Sequence, residues 1–144
     1  MFQVLATIQG LGLVVGLLAF LWWRDGGRWR RLAAAYPVPA QPGVVHDTRR
    51  RRTVILRSRG GLWNRYLGTV TVDISEWGVT LRLMAPWAAF HPPVFVPAAE
   101  VVMQPSSWYL IGESWALTLP RVPDLSIIVT EDDWFSPVTH RRGL

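Results

Sequence analysis

The chain opens with an uncharged run of 22 residues, Phe2–Trp23, and arginine follows it directly. A helix of that length rises about 33 Å at about 1.5 Å per residue, which is enough to cross a hydrocarbon core of about 30 Å. The run therefore predicts a single transmembrane helix over residues 1–23, and this segment limits what the rest of the chain can be.

A cleaved signal peptide is the alternative interpretation of this run. Signal peptides carry positive charge before a shorter apolar stretch of about 7–15 residues, whereas Met1–Gln3 carries no charged side chain here. Arginine on the C-terminal flank favours the cytoplasmic side of a membrane. We therefore expect a bacterial inner-membrane protein with its N-terminus outside and its remaining domain in the cytoplasm.

Charge is distributed unevenly after the apolar run. Residues 24–59 hold ten of the 15 arginines and two acids, whereas residues 60–144 hold five arginines and eight acids. Anionic headgroups attract basic segments by about 1 kcal/mol per residue near the surface. We expect anionic lipid as a partner and no nucleic acid, because the rest of the chain is acidic. The predicted interfacial residues are Trp22, Trp23, Arg24, Arg28, Trp29, Arg30, Arg31, Arg49, Arg50, Arg51 and Arg52.

One face of the apolar run carries small side chains. Gly12 and Gly16 are four residues apart, and Gln9 and Ala19 fall near the same face at about 100° per residue. Small residues let two membrane helices approach closely, and a side-chain amide in the bilayer favours a hydrogen-bond partner. The pattern predicts packing against integral membrane protein subunits, although glycine pairs at this spacing also arise by chance.

Residues 24–51 are predicted to form a basic juxtamembrane helix followed by a proline-rich linker. Apolar residues recur at helical spacing within Trp29–Tyr36, and Pro37 stops the helix. This stripe can rest on the membrane interface or pack against the protein's own domain, and both interpretations stay open. The segment Pro37–Gly43 has the composition of a stiff, extended linker.

The pattern changes to short β-type runs in residues 52–144. Alternation is clearest in Thr69–Ile74, and the short spacing between runs favours antiparallel pairing. The sequence predicts one transmembrane helix plus a small, mainly antiparallel all-β barrel or sandwich. The predicted strands are Thr53–Arg57, Tyr66–Ile74, Val79–Met84, Val94–Val96, Glu100–Gln104, Trp108–Ile111, Trp115–Leu119 and Leu125–Thr130, with Gly112-Glu113 as a turn and Glu131–Phe135 as a final helical turn.

An uncharged stretch, Met84–Phe90, connects two of these runs. Its Pro86, Trp87 and Phe90 are typical of an exposed contact with a protein or a membrane. A buried connection folded across the open end of the barrel is the alternative, and the sequence does not decide between them.

Groups with an obvious chemistry are scarce in the chain. It has no cysteine, and His46, His91 and His140 are far apart and in no metal-binding spacing. No phosphate-binding glycine loop or nucleophile-elbow motif is present. We therefore predict no catalytic residue, no cofactor and no metal.

Three pieces of the chain resemble a group of uncharacterised bacterial single-pass membrane proteins. These proteins carry a W-x-x-L-A-x-x-Y helix, a strand pair ending in G-[VL]-x-L and an H-P-P-x-[FL]-x-P segment, and the matching pieces here are Trp29–Tyr36, Gly78–Leu81 and Phe90–Pro97. The strand order is also similar to that of bacterial pleckstrin-homology-like domains. That resemblance implies an open barrel closed by a C-terminal helix, and it supplies no catalytic residues.

Three functions are compatible with these features. The first is a non-enzymatic accessory or scaffold subunit that stabilises a larger membrane protein complex, such as a respiratory, photosynthetic or transport assembly. The second is a membrane-tethered module that binds anionic lipid headgroups. The third is an enzyme of unrecognised type, which requires a pocket with perturbed carboxylates or histidines.

Overall fold

A computed structural model describes residues 2–108 and 112–129 of the chain. Two helices are followed by seven strands. The elements are α1 Phe2–Asp25, α2 Gly27–Ala35, β1 Val45–Ser58, β2 Trp63–Ser75, β3 Gly78–Leu83, β4 Val94–Pro97, β5 Val102–Trp108, β6 Gly112–Thr118 and β7 Leu125–Val129.

Helix α1 is long and apolar enough to cross a membrane, with 23 residues from Gln3 to Asp25 in the candidate span. The side chains of residues 3–21 are all exposed to the surroundings. The expected apolar helix is confirmed, and its surface is not covered by the described part of the domain. Only Gly26 separates α1 from α2, and its carbonyl accepts a hydrogen bond from the Arg30 amide (2.9 Å).

The seven strands form one curled antiparallel sheet, a half-barrel, in the order β4-β3-β2-β1-β7-β6-β5. The predicted combination of an N-terminal helix with a small antiparallel β domain is therefore confirmed. Strand β1 lies at the centre, between β2 and β7. The two edge strands, β4 and β5, are consecutive in the chain, so the sheet is a folded meander whose ends are joined by residues 98–101.

Helix α2 packs its apolar stripe onto the inner face of the curled sheet. Trp29, Leu32, Ala33 and Tyr36 are buried in one cluster with side chains from six of the strands. Of the two interpretations of this stripe, packing against the protein's own domain is the one that the structure shows. The expected C-terminal closing turn, Glu131–Phe135, lies outside the described residues, and in the described part α2 fills the open side of the half-barrel.

A second, smaller apolar cluster lies on the outer face of the sheet. Ile55 and Ile128 are paired across β1 and β7, and both are fully buried with Trp63 beside them. Strand β1 therefore contributes alternate residues to two apolar clusters, since Val54 and Leu56 point into the main core.

The sequence-based boundary between linker and β domain is wrong by several residues. Strand β1 begins at Val45, so Arg49–Arg51, which were predicted to end the linker, belong to the same strand as Arg52. This part of β1 pairs with β2, and the register shifts between Arg49 and Arg52, where Arg51 has a positive φ of 55°. A bulge of this kind lets successive charged side chains stay at the surface of a paired strand.

The strands around Pro105 also differ from the prediction. The runs Glu100–Gln104 and Trp108–Ile111 were expected to be separate strands, but Val102–Trp108 is one strand, β5. Proline fits there because β5 is an edge strand of the sheet, paired with β6 alone in the described residues. The predicted Gly112-Glu113 turn is wrong, since both residues pair with β5 from within β6.

Candidate functional site: the junction between membrane helix and domain

The last turn of α1 is bonded to the loop that joins β3 to β4. The Trp22 indole Nε1 donates a hydrogen bond to the Ala89 carbonyl (3.1 Å). The same carbonyl accepts a hydrogen bond from His91 Nδ1 (2.7 Å). One backbone oxygen thus joins the end of the candidate membrane span to the β domain across 67 positions of sequence.

His91 lies at the centre of an aromatic cluster at this junction. Its ring is 3% exposed and lies 4.8 Å from the Trp22 ring, 5.7 Å from Tyr66 and 6.1 Å from Trp29. Burial lowers the pKa of His91, and the nearby Arg30 guanidinium lowers it further, whereas the bond to Ala89 opposes the shift. The junction therefore disfavours the protonated form of the imidazole.

Helix α2 adds a second set of bonds at its N-terminal end. The Trp29 indole donates to the Pro92 carbonyl at 2.6 Å, and its ring meets Tyr66 edge-on at 4.9 Å. Arg28 donates to the Asn64 side-chain oxygen at 2.7 Å, and Arg30 lies against the Phe90 carbonyl at 3.5 Å. Burial raises the pKa of Tyr66 well above its usual range. The junction is consequently built from both helices, β2 and one loop.

The C-terminal end of α2 is fixed on the other side of the half-barrel. The Tyr36 hydroxyl donates to Glu100 (3.0 Å) and accepts from the Arg121 amide (3.1 Å). Arg121 also pairs with Glu100 at 3.2 Å and covers the Tyr36 ring at 4.9 Å. Because both ends of α2 are bonded to strand connections, the helix cannot turn without breaking the core.

The loop of residues 85–90, here called the junction loop, is exposed along its whole length. Trp87 is 43% and Phe90 53% exposed, and Pro86 lies at the surface between Met84 and Trp87. Of the two interpretations of this stretch, the buried connection is wrong and the exposed apolar loop is confirmed. The loop is held at its base by Trp22, His91 and Arg30.

A cleft of about 370 Å³ opens beside the aromatic cluster. Trp22, Asp25, Asn64, Tyr66 and His91 line it together with the residues on either side of Asn64 in β2. A second cleft, of about 520 Å³, lies at the end of α1 between Arg24, Asp25 and the β1–β2 turn that carries Leu62. The end of α1 therefore lies close to both the junction loop and the β1–β2 turn.

The sequence-predicted interfacial residues do not form one surface. Trp29 is buried in the core, so its assignment to the interface is wrong: its ring fills the space between α2 and the sheet. Trp22 is half-buried on His91, whereas Trp23 is exposed under the Arg30 guanidinium at 4.9 Å. Arg28 is bonded within the junction, and Arg31 pairs with Asp124 before β7.

The arginines of β1 lie apart from the junction set. Arg49 pairs with Asp47 at 2.8 Å and is half-buried, while Arg50 and Arg51 are exposed within the bulge, between the paired residues Arg49 and Arg52. Arg52 is half-buried and pairs with Val70 of β2 in the register. Arg24, in contrast, is exposed at the end of α1.

The residues predicted for helix packing do share one exposed face of α1. Gln9, Gly12, Gly16 and Ala19 are all exposed, and a methyl group added at either glycine would meet no atom within 4 Å. This face is open in the described structure, so it is free to accept a helix from another chain.

Sequence reasoning missed His91, Tyr66 and Asn64 as parts of one site. A single histidine beside two prolines has no spacing signal, and the partners of His91 come from α1, α2 and β2. The signal available in the sequence was the pair of motifs Trp29–Tyr36 and Phe90–Pro97, because the structure bonds these two segments to each other.

Among residues 2–108 and 112–129, no group of three or more His, Cys, Asp or Glu side chains is placed to hold a metal ion. No protein-family profile, curated protein or solved structure matches the chain. The resemblance of its short motifs to bacterial single-pass membrane proteins therefore stays a prediction.

Proposed function

We propose that this chain is a non-enzymatic, single-pass accessory subunit of a larger membrane protein complex, in which α1 packs against integral membrane subunits and the β domain braces the assembly. The proposal places the chain in a bacterial inner membrane, with the N-terminus outside and the β domain in the cytoplasm. Arginine on the C-terminal flank of α1 supports that orientation. A respiratory, photosynthetic or transport assembly is a suitable host.

The observation that carries this proposal is the contrast between the exposed length of α1 and the bonding of its last turn to the domain in the described part of the chain. Residues 3–21 are exposed, but the last turn of α1 is bonded to the domain through Trp22 and Ala89. A helix that served only as a tether would need no such bonds. Because α2 directly follows Gly26, a neighbouring subunit that binds α1 also sets the position of the β domain.

The open face of α1 supports the choice of a protein partner. Gly12 and Gly16 leave a shallow surface on which a second backbone can come close, and Gln9 offers an amide for a hydrogen bond across helices. Lipid tails fill such a surface less well than the side chains of another helix, and they cannot bond to an amide.

Affinity purification from native membranes, with a matched glycine control, tests this proposal. Gly12→Leu combined with Gly16→Leu fills the proposed contact face, whereas Gly10→Leu adds a leucine about 160° around the helix from Gly12 and about 120° from Gly16. All three glycines have open space around them, so the control places leucine in an equally open position on a different face. We expect partner subunits with the wild type and with Gly10→Leu, and loss of them with the double variant. Equal recovery from all three would refute the proposal.

A lipid-headgroup module is the second candidate, favoured by the exposed guanidinium groups of Arg50 and Arg51 on β1. It predicts that residues 24–144, which hold α2 and all seven strands, bind anionic vesicles with an affinity that falls steeply with salt. Arg50→Gln with Arg51→Gln should then weaken binding, whereas Arg65→Gln on β2 serves as a control. Binding that is absent, or insensitive to salt, removes this candidate.

A further inference from the structure

The junction loop lies at a definite depth relative to the candidate membrane span. Trp22, which bonds to Ala89 of that loop, is three residues before the end of α1, about 4.5 Å along the helix axis. Helix side chains lean toward the N-terminus of their helix, so the Trp22 indole reaches back toward the bilayer. Each headgroup region is about 5–8 Å thick, given a core of about 30 Å and a total of about 40–45 Å. If the candidate span ends at the outer edge of the headgroups, the base of the loop falls within that region.

Two apolar projections flank the helix at this depth. Trp87 and Phe90 project from the junction loop, and Leu62, which is 64% exposed, projects from the β1–β2 turn. Leu62 lines the cleft at the end of α1 with Arg24 and Asp25. Both sets of exposed apolar side chains therefore lie near the end of the candidate membrane span.

We infer that Trp87, Phe90 and Leu62 insert into the headgroup–acyl boundary of the bilayer that holds α1. The β domain is then in direct contact with the membrane surface. The occupant of this surface is phospholipid. Trp is suited to that boundary because its ring is apolar and its N–H can bond to headgroup oxygens. The exposed guanidinium of Arg24 supplies a positive charge for a phosphate at the same level.

The far end of β2 provides an internal control for this inference. Trp77, in the β2–β3 turn, is 54% exposed, a fraction close to that of Phe90. It follows the end of β2 opposite to Trp63, which lines the cleft beside Trp22. The chain thus has an exposed large apolar side chain next to each end of β2, Leu62 at one end and Trp77 at the other. Among the described residues, only the Leu62 end lies against α1.

Site-directed spin labelling of the full chain tests the inference, and the absence of cysteine makes single labels straightforward. Trp87→Cys, Leu62→Cys and Trp77→Cys are each labelled with a nitroxide, with Trp23→Cys on α1 as the membrane reference. The purified protein is placed in nanodiscs of phosphatidylcholine with phosphatidylglycerol. Power saturation then compares accessibility to oxygen, which concentrates in lipid, and to a water-soluble nickel chelate.

We expect the labels at positions 87 and 62 to resemble the label at 23, with several-fold lower nickel accessibility than the label at 77. Nickel accessibility at 87 and 62 equal to that at 77 would overturn the inference. Protection from both relaxing agents at 87 would also overturn it, because it would show that protein covers the loop. All four substituted positions are at least partly exposed, and melting in the same nanodiscs checks that each variant is folded.

This experiment uses the purified chain alone, so its outcome does not depend on a partner subunit. The loop can insert into lipid even when α1 has no helix partner. A partner can co-purify with the chain even when the loop remains in water. The two proposals therefore fail separately.

Discussion

The two helices differ in where their apolar side chains lie. Helix α1 has 24 residues and exposes nearly every one of them, whereas α2 has nine residues and buries its whole apolar stripe in the core. Only one residue separates them. The difference shows that α2 is a structural part of the β domain, while α1 needs an apolar environment that the described domain does not supply. Changes in α2 should therefore act on folding, and changes in α1 on assembly.

The largest expected effect is in α2, from Trp29→Ala. This change empties the space between α2, Tyr66 and His91 and removes the bond to Pro92, and large-to-small changes of buried aromatic residues cost about 3–5 kcal/mol. We expect a large fall in the free energy of unfolding, measured by denaturant titration of the full chain in detergent. Trp23→Ala is the matched control on α1, where the ring is exposed. Equal losses in the two variants would contradict the assignment of Trp29 to the core.

Gly26, between the helices, is expected to give the next largest effect. A Cβ atom at Gly26 would lie 2.8 Å from His91 Nε2 and 2.9 Å from an Arg30 nitrogen, whereas one at Gly27 would meet nothing closer than 4.0 Å. Overpacking of this kind costs about 1–3 kcal/mol. We expect Gly26→Ala to lower the melting temperature and Gly27→Ala to leave it unchanged or raise it. An unchanged melting temperature for Gly26→Ala would show that Gly26 is not closely packed between the two helices and His91.

The pH dependence of folding stability gives a further test of the junction. The pKa of His91 is lowered in the folded protein, so the unfolded chain, with a pKa of about 6.5, binds the proton more readily. The contribution of neutral His91 to stability is therefore complete above about pH 6.5 and is lost as pH falls toward the folded pKa, at up to about 1.4 kcal/mol per pH unit.

We expect the unfolding free energy of the wild type to fall between pH 7.5 and pH 5.0, and His91→Gln to remove part of that dependence. The guanidinium of Arg30 acts on His91, and Asp25 lines the same cleft. His46 is exposed on β1, so His46→Gln should leave the pH profile unchanged. Identical profiles for wild type and His91→Gln would contradict the burial of the imidazole in the junction.

The smallest expected effect on folding comes from the glycines of α1. Leucine at Gly12 and Gly16 meets open space, so the melting temperature of the domain should not change. Glycine also costs about 1 kcal/mol relative to alanine in a helix interior, so replacement does not weaken α1 itself. A lowered melting temperature in this double variant would show that α1 packs on its own domain.

The sequence was sufficient for the elements that depend on local pattern. An uncharged run of 22 residues can form little else than an apolar helix, and alternation in Thr69–Ile74 predicted β2. Periodicity also predicted the stripe of α2, but it could not tell which surface the stripe contacts. That choice depends on Pro92, Tyr66 and Glu100, which are distant in sequence.

Other features could not be predicted because they depend on long-range pairing. A run of four arginines has the composition of a solvated linker, yet Arg49–Arg52 lie in a strand because Arg49 and Arg52 pair with β2 on either side of a bulge. Pro105 looks like a strand breaker until β5 is known to be an edge strand. The role of His91 depends on four elements that meet at one point. The sequence around His91 contains no spacing pattern that indicates such a meeting.

The most direct test of the account is the mass of the assembly that α1 joins. After gentle detergent extraction from the membranes of its own host cell, native mass measurement should find the 16.3 kDa chain within a larger complex that contains other membrane proteins. The complex should survive Gly10→Leu and be lost with Gly12→Leu and Gly16→Leu together. Monomer alone, or masses that are simple multiples of 16.3 kDa, would contradict the account.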